Sequence, residues 1–260
     1  MPEPRHLRMV AGQAEYQLRL YARGSRAVLS AVITPLAVMV LLAAISDRRE
    51  EAGYAGWLAA SMATLGVVSV CYTTLAASLV ASRDAGVVKR LRATPLPLWA
   101  HLGGRVAATL LVAVAQTALV AGVGIGVYGA RVDAAGLGAA LAGLLLGAVA
   151  ICLVGLAVAQ LIGRGDAAAT LLSTTLLPVV LISGIFFPVS ELPGWVARLS
   201  GWLPVSHLAR LLGAMFGGAW TAADLAWLAG WGVLALAFAL LRFRTEPMPA
   251  RRWARARSTA

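Results

Sequence analysis

Charged residues are scarce in this sequence. They make up 13% of its 260 residues, where a soluble domain carries about a quarter. They also leave long gaps, and residues 27–46 and 52–82 hold none. With 60% of the chain hydrophobic, these gaps are too long and too many for a soluble core. They predict a membrane protein that crosses the bilayer several times.

Other shortages narrow the function. Lys89 is the only lysine among 22 Lys and Arg residues, which points to a GC-rich genome. No Gly-x-x-x-x-Gly-Lys-Ser/Thr loop exists, so the chain has no phosphate cradle of that kind for ATP. The two cysteines, Cys71 and Cys152, fall inside apolar runs, lack metal-ligand spacing and read as small buried hydrophobes. His6, His101 and His207 are scattered, so neither a metal site nor a catalytic constellation is expected. Asp166 and Asp224 lie near span ends; no carboxylate sits deep in a span, which argues against a proton relay. No cleavage site follows the first apolar run, so no cleaved signal peptide is expected. The net charge of +11 does not indicate nucleic acid, because no aromatic-interleaved basic patch sits on a soluble scaffold. It fits loops beside an anionic inner leaflet.

A helix needs about 20 apolar residues to cross a bilayer core about 30 Å thick. Six segments qualify: residues 27–46 with Pro35 inside, 57–80, 103–128, 137–162, 167–187 with Pro178 inside, and 222–241. Residues 5–23 are not a span. Leu7, Val10, Ala14, Leu18 and Tyr21 share one face while Arg8, Glu15, Arg19 and Arg23 fall elsewhere, which predicts an amphipathic helix lying in the interface. Residues 243–260 form a basic tail, suited to anionic lipid, to a partner or to solvent.

Six spans put both ends of the chain on one side. That side carries Arg5, Arg8, Arg19, Arg23, Arg26, Arg83, Lys89, Arg90, Arg92, Arg105, Arg164 and the arginines from Arg242 onward. The other side carries Arg48, Arg49, Arg131, Arg198 and Arg210. The excess places both ends in the cytoplasm.

Two segments stand out. Between the second and third spans runs Ser-Arg-Asp-Ala-Gly-Val-Val-Lys-Arg-Leu-Arg-Ala-Thr-Pro-Leu-Pro, residues 82–97. A helix over 84–94 is expected, opened by Asp84, with Lys89, Arg90 and Arg92 toward its negative end and stopped by Pro95 and Pro97. Val87, Val88 and Leu91 give it an apolar face. An ordinary positively charged loop that only sets orientation is the competing reading. The second segment, residues 188–212 with the run Ser183, Gly184, Ile185, Phe186, Phe187, Pro188 before it, is apolar but broken by Gly and Pro. Short re-entrant or interfacial helices on the outer side fit it, with Trp195, Trp202 and Trp220 as interface anchors.

These two segments, in this order and in these places among six spans, resemble the type 2 permeases of ATP-binding-cassette exporters. The residues that carry the resemblance are Arg83, Asp84, Gly86, Lys89, Arg90, Leu91, Arg92, Thr94 and Pro95 in the first. In the second they are Ser183, Gly184, Phe186, Phe187, Pro188 and Pro193, and then Leu203, Pro204 and on through His207, with Trp195 among the expected outer-gate residues. Within that family the chain looks most like daunorubicin-resistance-type drug-export permeases of actinobacteria. The resemblance implies an all-α permease without catalytic residues or bound cofactor of its own. ATP and Mg would be held by a separate ATPase subunit, docked on a coupling helix at 84–94. A second permease chain, identical or related, would complete the pathway, and the outer helices would gate its exit. The cargo would be a drug or other hydrophobic small molecule, or alternatively a lipid-linked polysaccharide or teichoic acid. A membrane scaffold or enzyme is the remaining class, and the missing catalytic residues speak against it.

Within the spans, Gln116 and Gln160 are candidate pathway-lining residues, with packing against a neighbouring helix as the favoured role. Gly143 and Gly147, and Gly213 and Gly217, form small-xxx-small spacings that suit close helix packing.

Overall fold

The computed structural model describes residues 5–22, 26–47, 51, 53–86, 98–162 and 168–245, and these are helical throughout their long segments. In chain order the helices are α1 (Arg5–Ala22), α2 (Arg26–Ile45), α3 (Tyr54–Asp84), α4 (Leu98–Gly126), α5 (Ala134–Leu161), α6 (Ala168–Ile182), α7 (Gly194–Ser200), α8 (Pro204–Ala214) and α9 (Ala222–Thr245). Among the described residues five helices are long and apolar enough to cross a membrane: α2, α3, α4, α5 and α9.

α6 is shorter. At 15 residues it reaches only about 22 Å at 1.5 Å per residue, less than a bilayer core. The apolar run continues to Phe187, but the helix does not. Gly184 takes a left-handed φ of +77°, and a Cβ there would fall 2.5 Å from Val189 Cγ2. Glycine permits that reversal, and Ile185 just beyond it is fully buried.

α3 is the most enclosed helix, with every residue from Leu58 to Val68 buried. It widens into a π-helical turn at Ser69–Thr74. Its hydroxyls largely satisfy themselves: Thr64, Ser69, Ser78 and Ser82 donate to carbonyls three or four residues back, which keeps polar groups paired where no water competes.

α5 is the packing hub, lying against α9, α8, α3 and the π-helical turn. Apolar side chains gain little from leaving lipid for another helix, so close backbone approach does the work. The glycines of α5 provide it. A Cβ on Gly136 would lie 1.8 Å from the Ala214 carbonyl oxygen, on Gly143 2.5 Å from Leu211 Cβ, on Gly147 2.8 Å from Leu208 Cδ1, and on Gly155 3.0 Å from the Cys71 carbonyl. The first glycine spacing therefore seats α8 on α5.

α1 packs its Val10, Ala14, Leu18, Tyr21 face inward, with Gln17 also buried. Its partner is α4. A Cβ on Gly104 would meet Gln13 Cβ at 2.4 Å and the Ala14 backbone nitrogen at 3.1 Å. Arg19 and Glu15 pair on the exposed face at 2.5 Å. The apolar surfaces of α2 (Leu29, Ile33, Val40, Leu41) and α9 (Val233, Leu234, Leu240, Leu241) stay exposed, as lipid-facing or partner-facing helices require.

Candidate functional site

One end of the bundle gathers the tip of α3, the start of α4, the tip of α5 and helix α1. Of the residues expected to form a coupling helix, Arg83, Asp84 and Gly86 are described; Lys89, Arg90, Leu91, Arg92, Thr94 and Pro95 lie outside the described residues. Asp84 does not open a helix. It is the last residue of α3, and Gly86 follows with a φ of +68°. The correction has a simple cause: the apolar periodicity of α3 carries its helix on to the first charges, and Gly86 ends it in the usual left-handed way.

Arg83 points back into the bundle and donates from Nη1 to the Ala159 carbonyl at 2.9 Å. That oxygen is among the last carbonyls of α5, which have no helical donor and carry the negative end of the dipole. Arg105, in the second turn of α4, is 7% exposed. Its Nη2 donates to Ser82 Oγ at 2.6 Å and its Nη1 to the Ser78 carbonyl at 3.2 Å, while Ser82 itself donates to that same carbonyl. By sequence Arg105 only adds to the cytoplasmic charge and marks the inner edge of the third span. The serines one helical turn apart in α3 were the available signal.

The opposite end gathers the starts of α3, α5 and α9, the break after α6, and α7 and α8. Here the expected gate residues fall in short pieces. Ser183 donates to the Val179 carbonyl and ends α6. Phe187 and Trp195 are exposed, Phe186 half-buried. Pro188 precedes a single 3-10 turn, Pro193 precedes α7, and Pro204 opens α8 at its first turn, where a missing N–H costs nothing.

His207 and Asp224, both buried, form a pair missed by the sequence reading, which had placed them only singly. His207 Nε2 donates to the Gly201 carbonyl at 3.0 Å, leaving Nδ1 facing Asp224 Oδ1 at 2.7 Å and Arg210 Nη2 at 2.6 Å. Arg210 donates twice to the same carboxylate oxygen, and Thr221 donates twice to the other. The His207 ring stacks on Trp227 at 5.5 Å, and Trp231 Nε1 donates to the Trp202 carbonyl at 2.9 Å. The network pins α7 and α8 onto the start of α9. Both Asp224 oxygens and both His207 ring nitrogens have partners within the chain, so the cluster reads as structural.

Between the ends, Gln116 is buried with neither amide atom partnered, and Gln160 leaves its Nε2 unpartnered. Gln116 lies against Gly66 of α3. Cys71 on α3 and Cys152 on α5 are both buried and both free thiols. Among the described residues no group of three metal-ligating side chains comes together.

The chain is similar to known proteins over most of its length. The family model described as "ABC-2 type transporter" matches residues 14–216. Two proteins called "Probable multidrug ABC transporter permease YbhR", from Escherichia coli strain K12 and from Escherichia coli O157:H7, are each 29% identical over 164 residues. That match covers 59% of this chain and 40% of the relatives' own length.

Proposed function

The chain belongs to the ABC-2 type transporter family, and from that premise we propose that it is the permease subunit of an ATP-driven exporter of a hydrophobic small molecule such as a drug or antibiotic. One observation carries the reading: the family match at 14–216 includes both the basic segment between α3 and α4 and the broken segment between α6 and α9. The relatives' names favour drugs as cargo. The likeness of residues 183–188 and 203–207 to daunorubicin-resistance-type permeases supports the same finer assignment.

In this reading residues 167–187 are the fifth of six spans, made of α6 and the turn that follows it. Tyr72 and Thr175 support that placement, because their hydroxyls meet at 2.8 Å and hold α6 beside the π-helical turn of α3. The α1 end of the bundle is cytoplasmic. By sequence Arg8, Arg19, Arg83, Lys89, Arg90, Arg92, Arg105, Arg242 and Arg244 fall at that end, against Arg48, Arg49, Arg131, Arg198 and Arg210 at the other, and this excess supports the orientation.

Energy enters through a separate ATPase subunit, since this chain lacks a phosphate loop. Two permease chains pair, and each offers residues 84–94 to one ATPase subunit. Closure of the ATPase pair on ATP displaces those segments, tilts α3 and α4, closes the inner mouth and opens the outer one. The short elements from Ser183 to Ala214 cap the exit. Substrate partitions in from the bilayer.

Co-expression with candidate ATPase subunits of ATP-binding-cassette exporters from the same genome tests the proposal. The two polypeptides are expected to purify together, and a screen of hydrophobic drugs is expected to find compounds that stimulate ATP hydrolysis in proteoliposomes. If no ATPase subunit associates, the reading fails.

A further inference from the structure

Arg105 is a permanent cation held almost out of solvent, and among the described residues no carboxylate pairs with it. Its Nε has no partner. A buried guanidinium keeps its charge, so such a placement lowers stability unless its bonds do something a neutral side chain would not. What those bonds hold is specific. Ser78 and Ser82 occupy the last two turns of α3, before Gly86, and Arg105 occupies the second turn of α4, after Leu98. The cation therefore closes the base of the segment between them.

Arg83 makes a second tie from the same base. Its bond to the Ala159 carbonyl joins the tip of α3 to the tip of α5. On the other face of α4, Gly104 admits Gln13 of α1, and Gln13 Oε1 lies 3.2 Å from His101 Nδ1. The middle of α1, the start of α4 and the ends of α3 and α5 thus meet at the end of the bundle where the chain passes from α3 to α4. Gly86 ends α3 with a left-handed backbone, and nothing among the described residues lies within 4 Å of its missing Cβ.

We propose that Arg105 and Arg83 are positioning residues for coupling: they stiffen the base of the basic segment so that its displacement moves α3, α4 and α5 together and is not absorbed at Gly86. The inference rests on the exporter reading above and refines it. It also changes the role of Arg83, whose guanidinium faces its own chain and not the ATPase.

The test uses the full-length permease with its ATPase subunit in proteoliposomes. A fluorophore on Trp195→Cys, an exposed outer position, reports the response to ATP plus vanadate; Cys71 and Cys152 are buried and spare the label. Arg105→Gln is expected to retain the ATPase subunit and the KM for ATP. Its outer response is expected to fall about tenfold, the scale of one lost hydrogen bond from a charged donor. Arg105→Lys keeps the charge but cannot span both serines, and is expected to restore part of the response. Ser78→Ala/Ser82→Ala keeps Arg105 and is expected to resemble Arg105→Gln.

A wild-type response in all three variants overturns the clamp and leaves the exporter reading intact. So does a wild-type complex that shows no outer response. Variants that fold but lose the ATPase subunit make Arg105 a docking residue, and a set in which none folds makes it a folding residue; both overturn the proposal. Failure of the wild-type permease to bind any ATPase subunit instead removes the exporter reading, and the inference with it.

Discussion

Gln116 fills the space that Gly66 leaves empty. A Cβ on Gly66 would fall 1.8 Å from Gln116 Nε2, so the two residues, on α4 and α3, are sterically one unit. The amide has no partner on either atom, which costs about 1–3 kcal/mol for each buried polar group left unpaired. Its position against a helix backbone supports the packing role over a pathway-lining one.

Gly66→Ala is therefore expected to lower the thermal midpoint in detergent, and Gln116→Ala in the same background to recover much of the loss. Their coupling should exceed about 0.5 kcal/mol, as for residues in direct contact. Gln116→Met, unbranched and similar in volume, removes both orphan atoms and is expected to be neutral or stabilising in the same thermal scan. A Met variant that folds stably but abolishes export would restore Gln116 to the pathway.

α5 offers a contrast within one helical turn. Gly136 lies against the Ala214 backbone, whereas Gly138 has open space around it. Gly136→Ala is expected to destabilise the protein by several kcal/mol or block its accumulation, because a backbone carbonyl cannot rotate away as a side chain does. Gly138→Ala is expected to be neutral or slightly stabilising, by about 1 kcal/mol at most, since alanine restrains the unfolded chain and favours helix. Fluorescence-detected gel filtration after graded heating separates the two outcomes. Equal behaviour would show that α8 does not seat on α5 as described.

The long apolar helices were legible in the sequence because lipid leaves few choices: uncharged runs of sufficient length become helices. Residues 27–46, 57–80, 103–128, 137–162 and 222–241 each correspond to a helix that extends past one or both limits. The helix around 103–128 begins at Leu98, early enough to include His101 and Arg105. Helical periodicity also found the inward face of α1. The misses share a different cause. Carboxylates favour helix starts, which is why Asp84 suggests one, but the preceding helix overrides that local preference and ends on Asp84. His207 and Asp224, 17 residues apart, meet only because Gly217 and neighbouring residues turn the chain between α8 and α9, and spacing alone carries no such information. Cys71 and Cys152 are fully buried, as small hydrophobes inside apolar runs are expected to be.

The His207–Asp224–Arg210 cluster predicts a strong loss from a small change. Asp224 accepts from Arg210 and Thr221 and faces His207, at 3% exposure. Asp224→Ala leaves His207 and Arg210 without their anion, and breaking a buried pair in this way costs about 3–5 kcal/mol. The expected phenotype is a lowered thermal midpoint with proteolysis beginning between α7 and α9. Arg210→Ala is expected to cost less, because that guanidinium is already 38% exposed and water replaces part of what is lost. Limited trypsin digestion followed by mass spectrometry locates the first cut. Cleavage that begins elsewhere in Asp224→Ala would show that the cluster does not pin this end of the bundle.

Charge reversal separates the arginines of the basic segment by what they touch. Arg83 donates to a carbonyl of its own chain, so Arg83→Glu loses a bond from a charged donor, worth about 1.5–3 kcal/mol, and sets a carboxylate beside the negative end of α5. It is expected to lower the thermal midpoint of the permease alone. Under the proposed function, Arg90 and Arg92 contact the ATPase subunit. Arg90→Glu or Arg92→Glu is then expected to leave the midpoint of the isolated permease within about 0.5 kcal/mol, as for surface substitutions, while export stops and ATP hydrolysis no longer responds to cargo. Thermal scans of the isolated permease and drug-stimulated hydrolysis by the complex read the two effects independently. Normal export by either reversal variant would remove residues 84–94 as the coupling segment, because a carboxylate cannot make an arginine's contacts with the partner.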